Sequence, residues 1–129
     1  MKIRSVEAIA ISIPLRAAVS DAVRRITHRD HLIVRITTED GLVGEGFTLG
    51  YDGSKAMVAM VEEIFRPMLL GANAFHTEAL WSEMYRQSIQ AGRRGAALRA
   101  ISAIDIALWD LRGKASGAPV MHQIGRAHV

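Results

Sequence analysis

Residues 100–114 read Ala-Ile-Ser-Ala-Ile-Asp-Ile-Ala-Leu-Trp-Asp-Leu-Arg-Gly-Lys and run into Ala115-Ser-Gly-Ala-Pro-Val120, the stretch that most constrains the fold. From about Ala96, Leu98, Ile101, Asp105, Leu108 and Arg112 recur along one helical line, with Ile104 and Leu111 beside it. Gly113 or Gly117 suits the left-handed residue that ends a helix, and Pro119 forbids its continuation. A long helix with one apolar side must bury that side, so the rest of the chain has to supply the surface that covers it.

The upstream sequence supplies strands first. Residues 2–13 alternate, with Ile3, Val6, Ala8, Ala10, Ile9, Ile11 and Ile13 shared between two faces, and Pro14 is expected to end the strand because it cannot donate to a ladder. Residues 15–29 are polar, basic and poorly periodic, which predicts a loop. His31 to Thr38 is rich in β-branched residues, Asp40-Gly41 is a strong hairpin turn, and Leu42 to Leu49 returns as a third strand. The period then becomes helical. Asp52-Gly53-Ser54 offers capping groups to a helix carrying Ala56, Met57, Met60, Val61, Ile64 and Phe65, which Pro67 closes. Thr77 can cap a second helix with Leu80, Trp81, Met84, Tyr85 and Ser88 on one side, and Gly92 and Gly95 bracket a break holding Arg93-Arg94. Strands followed by helices predict an α+β domain: a three-stranded antiparallel meander, then a three-helix bundle.

Composition narrows the functional classes. A chain of 129 residues suits one domain, and 50% hydrophobic content excludes a disordered one. With no cysteine there is neither a disulfide framework nor a thiolate metal site. No apolar run approaches the roughly 18 residues that span a bilayer, and charges at Lys2, Arg4 and Glu7 interrupt any leader-like opening, so no membrane and a cytoplasmic location are expected. The net charge of +3 and pI of 9.8 raise nucleic-acid binding, but the basic residues are scattered pairs without an aromatic platform, so no nucleic acid is expected.

Few residues carry chemistry by spacing. Gly44-Glu45-Gly46-Phe47-Thr48-Leu49-Gly50 lies inside a hairpin strand and not at a strand-to-helix turn, so its glycines point to a bend or a close approach and not to a dinucleotide. The five histidines show no metal-ligand spacing, and Asp105 and Asp110 diverge around the helix. No Ser-His-Asp or Cys-His arrangement can be argued from spacing either. Asp105 stands on an otherwise apolar line and is expected to have a buried partner.

The pattern Ala100-x-Ser102-Ala103-Ile104-Asp105-x-Ala107-Leu108-x-Asp110-Leu111-x-Gly113-Lys114, then Pro119-Val120, resembles the signature of the mandelate racemase and muconate-lactonizing branch of the enolase superfamily. The opening Met1-Lys-Ile-Arg-Ser-Val-Glu-Ala resembles that family's first strand, and Asp40-Gly-Leu-Val-Gly-Glu-Gly46 its second hairpin. The likeness covers residues 1–122 and implies the family's N-terminal capping and specificity domain. It implies a parent enzyme, a homo-oligomer, that abstracts a proton alpha to a carboxylate and stabilises the enediolate on Mg²⁺, as an acid-sugar dehydratase, a racemase or a cycloisomerase. The metal ligands and bases of such enzymes lie at barrel strand ends, and a barrel needs about 250 residues. The resemblance therefore implies that this chain holds no catalytic residue and no Mg²⁺ itself.

By position, the family's two substrate-covering loops are Leu15–Arg29 and Leu49–Gly53. The resemblance thus nominates Arg16, Arg24, Arg25 and His28 to meet a carboxylate or sugar hydroxyls, Val19 and Val23 as an apolar wall, and Tyr51 to pack on or hydrogen-bond the substrate. After Val120 the family pattern runs towards Leu-Leu-Gly, whereas residues 123–129 read Gln-Ile-Gly-Arg-Ala-His-Val. The codons CAG ATC GGA AGA GCA CAC GTC would encode them and from AG onward spell a common sequencing adapter, so 123–129 are expected to be a non-native tail. The contrasting expectation is a free-standing binding or interaction domain that reuses the capping fold.

Overall fold

The computed structural model describes residues 1–92 and 94–125. Arg93 of the expected Arg93-Arg94 break and residues 126–129 of the expected tail lie outside the described residues.

The alternation of β2 is the clearest link from sequence to architecture. Leu32, Val34 and Ile36 are fully buried, while His31, Ile33 and Arg35 between them are not, so one face of the sheet is core and the other is open. The strands are β1 (Ile3–Ser20), β2 (Arg25–Thr38) and β3 (Val43–Leu49), an antiparallel meander in the order β1-β2-β3. Gly41, at φ 85°, makes the expected turn between β2 and β3, with its amide donating to the Thr38 carbonyl at 3.0 Å.

The first hairpin departs from expectation. Pro14 does not end β1, and residues 15–29 are not a loop: they form the far half of a long ribbon whose tip is only 21–24. Two physical facts account for this. β1 is an edge strand, where a missing amide is tolerated, and the β1–β2 register shifts between Pro14 and Val19. Beyond His31 the ribbon has only two strands, since β3 ends at Leu49 opposite His31. With no third strand beside it and most of its side chains exposed, its sequence carries no hydrophobic period to read.

The helices cover the inner face. α1 (Ser54–Met60) passes through a π-helical turn (Val61–Phe65) into α2 (Arg66–Leu69), so Pro67 does not close the helix. Proline disturbs the bonding of the preceding turn, and the wider π turn absorbs this while Pro67 sits in the first turn of α2. The expected caps are also absent. Gly53 and His76 occupy the N-cap positions without side-chain caps, Ser54 lies inside α1, and Thr77 lies inside α3 (Thr77–Gln87). Thr77 is buried, and its hydroxyl accepts from Arg112 Nη1 at 3.0 Å instead.

α4 (Ala96–Ser116) is the central helix, and Gly117 at φ 64° supplies its left-handed end. Pro119 then precedes the short α5 (Val120–Gln123). The deepest side of α4 is Ala100, Ala103, Ile104, Ala107 and Leu111, with Ile101 and Leu108 also buried. Leu98, Asp105 and Arg112 are only half-buried, so the line expected to be apolar runs along the edge of the core. The alanines meet the glycines of β3. A methyl group on Gly46 would run into the Ala103 carbonyl and come within 2.7 Å of the Ala107 nitrogen, and one on Gly44 would strike the Ala107 carbonyl. The β3 glycines therefore serve close helix-on-strand approach, and the signature helix is what approaches.

Two charged residues of that signature fasten the helix to the outer edge of β3. Asp110 accepts from the Glu45 amide at 2.9 Å, and Lys114 Nζ donates to the Val43 carbonyl at 2.8 Å and to Asp110 at 2.7 Å. An edge strand has unpaired amides and carbonyls, and these side chains satisfy two of them. Asp105 has no hydrogen bond or ion pair among the described residues, so the expected partner is not there. It borders a concavity with Glu78, Trp81 and Trp109, and partial burial raises its carboxyl above the ordinary aspartate value.

Candidate functional site

Two tight turns meet at one end of the sheet. At the ribbon tip, Asp21 Oδ1 accepts from the amides of Val23 at 2.9 Å and Arg24 at 2.8 Å, while the Asp21 amide donates to the Arg24 carbonyl. Those two amides, followed by the charge of Arg24, hold the Asp21 carboxyl below its ordinary value. The second turn follows β3. The Gly53 amide donates to the Gly50 carbonyl at 2.9 Å, and the two residues between them, Tyr51 at φ 46° and Asp52 at φ 65°, are left-handed. Gly50 in turn donates to the Asp30 carbonyl of β2. A bulky non-glycine residue at positive φ is sparsely populated and persists only where its surroundings hold it.

Two guanidiniums do the holding. Arg99 Cζ, from α4, lies 4.2 Å from the Tyr51 ring centroid and Arg24 Cζ, from the ribbon tip, lies 5.5 Å from it. Arg99 also donates to the Leu49 carbonyl at 3.2 Å, and Arg24 Nη1 pairs with Asp52 at 2.8 Å. The ribbon tip, the turn after β3 and the central helix are thus joined through one tyrosine.

A concavity of about 80 Å³ opens between the turns, lined among others by Arg24, Arg25, His28, Arg29, Tyr51 and Asp52. Of the residues nominated from the sequence, the fold brings together Arg24, Arg25, His28 and Tyr51. Arg16, Val19 and Val23 stand outside the concavity along the exposed ribbon, Val23 being 91% exposed at its tip. Arg24 is already engaged by Asp52 and Asp21, whereas Arg25 and Arg29 take part in none of the ion pairs among the described residues. His28 Nδ1 lies 2.8 Å from the Thr27 hydroxyl. The result is a cationic recess with hydrogen-bond donors and an aromatic wall, suited to an anionic, hydroxyl-bearing molecule.

Sequence reasoning missed Arg29, Asp52 and Arg99. Arg29 and Asp52 lay within the nominated segments, but Arg99 sits in a helix where an arginine has no distinguishing signal. Among the described residues no three His, Asp or Glu side chains gather to hold a cation.

The sequence matches the family described as "Mandelate racemase / muconate lactonizing enzyme, N-terminal domain" over residues 3–125. The chain belongs to that family. It is 41% identical over 90 residues to the arabinonate dehydratase of Saccharolobus solfataricus, covering 70% of this chain and 24% of the relative. It is 35% identical over 125 residues to the D-galactarolactone cycloisomerase of Agrobacterium fabrum, covering 97% and 32%. The L-talarate/galactarate dehydratase of Salmonella typhimurium LT2, solved with Mg and L-lyxarohydroxamate, superposes with a TM-score of 0.88 at 30% identity over 98% of this chain and 34% of that one. A mandelate racemase/muconate lactonizing enzyme-like protein from Rubrobacter xylanophilus superposes with a TM-score of 0.90 at 28% identity over 99% and 34%. The chain thus spans about a quarter to a third of these relatives and corresponds to the N-terminal domain of mandelate racemase/muconate lactonizing enzymes. Among the described residues no helix is long and apolar enough to cross a membrane.

Proposed function

We propose that this domain caps the substrate site of a Mg²⁺-dependent acid-sugar dehydratase or racemase whose catalytic barrel is supplied by the rest of a longer protein. The observation that supports the reading is the convergence of Arg24, Arg25, His28 and Tyr51 from two turns distant in sequence into one cationic recess. Arg25, Arg29 and His28 offer donors for a carboxylate or sugar hydroxyls, and the Tyr51 ring offers a face for the carbon chain. Arg24 holds the Tyr51 turn, while Arg16, Val19 and Val23 are proposed as the more distant wall along the ribbon. The chain abstracts no proton and holds no metal in this reading: it binds, orients and excludes water. The barrel's residues, not this chain's, would hold the Mg²⁺, which when bound would supply charge stabilisation for the substrate's carboxylate. Residues 123–129 are proposed to be a non-native tail read through from adapter, although the family match runs to residue 125, and the coding DNA tests this by its match to the adapter string.

The gene itself gives the first test. A barrel encoded downstream of Val120 supports the reading, and a natural stop codon there supports a free-standing binding domain instead. In the barrel-bearing protein, Arg25→Gln and Tyr51→Ala are each expected to raise KM for an acid sugar about 10-fold while kcat changes less. Unchanged KM in both variants removes the capping role. The 129-residue chain with Mg²⁺ alone is expected to give no turnover.

A further inference from the structure

Asp105 is singled out by the sequence and has no part in the recess. It stands on α4 with Trp109 one turn further along, and α3 presents Glu78, Trp81 and Ser82 to the same space. These five residues line a concavity of about 320 Å³ between the two helices. Indoles form its walls: Trp81, 37% exposed, is stacked on Tyr85 with ring centroids 5.3 Å apart, and Trp109 is half-buried. An exposed aromatic wall around a half-buried carboxylate is a groove that lacks its occupant.

Charge indicates what that occupant is. Among the described residues neither Asp105 nor Glu78 takes part in an ion pair or a side-chain hydrogen bond, whereas Glu83 on α3 and Asp110 on α4 each have a cation. Arg112 is engaged elsewhere: its Cζ lies 4.4 Å from the Trp109 ring centroid, and its Nη1 donates to the Thr77 hydroxyl. Desolvation holds the Asp105 carboxyl above its ordinary value, so the site favours a positive charge brought from outside. A guanidinium is flat, weakly hydrated, stacks on an indole and donates two parallel hydrogen bonds to one carboxylate. An ammonium is compact and strongly hydrated, and fits such walls less well.

We propose that the concavity between Trp81 and Trp109 receives an arginine side chain from the polypeptide that follows this domain in the longer protein. The guanidinium pairs with Asp105 and Glu78 and lies against the indoles. This rests on the reading that a barrel follows the domain, since the chain spans 24% of the arabinonate dehydratase and 34% of the L-talarate/galactarate dehydratase to which it is similar. The partner expected for Asp105 is then supplied from beyond residue 129 and not by the domain itself.

Asp105→Asn in two proteins tests it. In the 129-residue chain the change removes an unpaired carboxylate and is expected to raise the melting temperature at neutral pH by about 2 °C. In the barrel-bearing protein it takes the carboxylate from a paired guanidinium, and the melting temperature is expected to fall by about 3 °C. Glu78→Gln, at an exposed position, should lower it in the long protein and leave the chain unchanged. Trp81 and Trp109 are the only tryptophans of the sequence, so the fluorescence of the chain reports this concavity. At constant ionic strength N-acetylarginine amide is expected to change that fluorescence saturably, with a dissociation constant of about 10 mM, and Asp105→Asn to weaken it about 10-fold. N-acetyllysine amide should bind more weakly. An Asp105→Asn change that stabilises both proteins overturns the proposal; if the arginine amide still binds the chain, the occupant is a free cation. Fluorescence that the arginine amide leaves unchanged overturns it as well. Where Arg25→Gln and Tyr51→Ala raise KM, either result removes the arginine socket and leaves the capping role standing, whereas a natural stop codon after Val120 removes both.

Discussion

At the scale of single residues, Tyr51 carries an unfavourable backbone for the sake of its position. A non-glycine residue at positive φ costs about 1–3 kcal/mol, and a cation over an aromatic ring returns about 0.5–1 kcal/mol at an exposed site. Arg99 and Arg24 together therefore offset much of the strain. Arg99→Met and Tyr51→Leu, singly and together, are expected to show a coupling of about 0.5–1 kcal/mol in urea unfolding. Strict additivity would mean the stacking holds nothing. Asp105 gives a prediction of opposite character. Burial raises its carboxyl in the folded chain, so the ionised form opposes folding. The penalty is full above that raised value and disappears as pH falls through it towards the ordinary aspartate value, because the folded chain takes up the proton first. Asp105→Asn should therefore stabilise the protein at neutral pH by about 0.5 kcal/mol, a figure reduced for its partial exposure, and the gain should shrink in acid. Thermal melts of both proteins from neutral to acid pH check this; a gain that grows on acidification contradicts it. Tyr51 was nominated from its place after the third strand. Arg99 was invisible, since the contact that gives it a role joins residues 48 positions apart.

Among elements, the pairing of α4 with β3 explains why small residues and charges recur together in the signature. Gly44 and Gly46 let the helix backbone come close, Ala103 and Ala107 keep the helix surface thin there, and Asp110 and Lys114 bond the exposed strand edge. Each depends on the others, because the side-chain bonds reach only if the backbones are near. Gly46→Ala cannot be absorbed by a rotating side chain, since what it meets is the backbone of Ala103 and Ala107. It is expected to cost about 3 kcal/mol, at the upper end for overpacking. The loss should appear as a lower urea midpoint, whereas Gly41→Ala, with no atom near its added methyl but a φ of 85°, reports backbone strain alone. A Gly46→Ala variant as stable as the wild type would rule out this packing. The sequence made α4, the Gly41 turn and the alternation of β2 legible because each is written in a local period or a local dihedral demand. The far half of the first ribbon was not legible: from Arg16 to Arg29 most side chains are exposed, and a mostly solvated strand leaves no pattern. Nor was the passage of the helix through Pro67, which depends on the bonding of the turn before it and not on proline alone.

For the molecule as a whole, this contrast in packing sets a gradient of stability. Leu32, Val34 and Ile36 are sealed beneath the helices, in the same cluster as Ile101, Ile104 and Leu108. From that block the ribbon extends past the end of β3 with two strands and is tied back at Asp30, whose carbonyl accepts from the Gly50 amide, and at its tip, by Arg24 to Asp52 and to the face of Tyr51. Opening the ribbon exposes little apolar surface, so amides at 25–29 should exchange with solvent through local opening, while those of Val34 and Ile36 should require global unfolding. The tip adds a dependence on pH. Asp21 is held below its ordinary value by the amides of Val23 and Arg24, so its stabilising effect is fully present above the unfolded-chain value. It is lost as pH falls through the depressed folded value. Protection factors at Val23 and Arg24 should therefore drop in acid, those at Val34 should not follow, and Asp21→Asn should remove the pH dependence at the tip. Equal protection along the whole hairpin, or a tip insensitive to Asp21→Asn, would mean that the ribbon is anchored by more than the Arg24–Asp52 pair and its turn. The position of Arg25 and His28 over the recess depends on that same tip, so whatever loosens it also loosens the proposed grip on an anion.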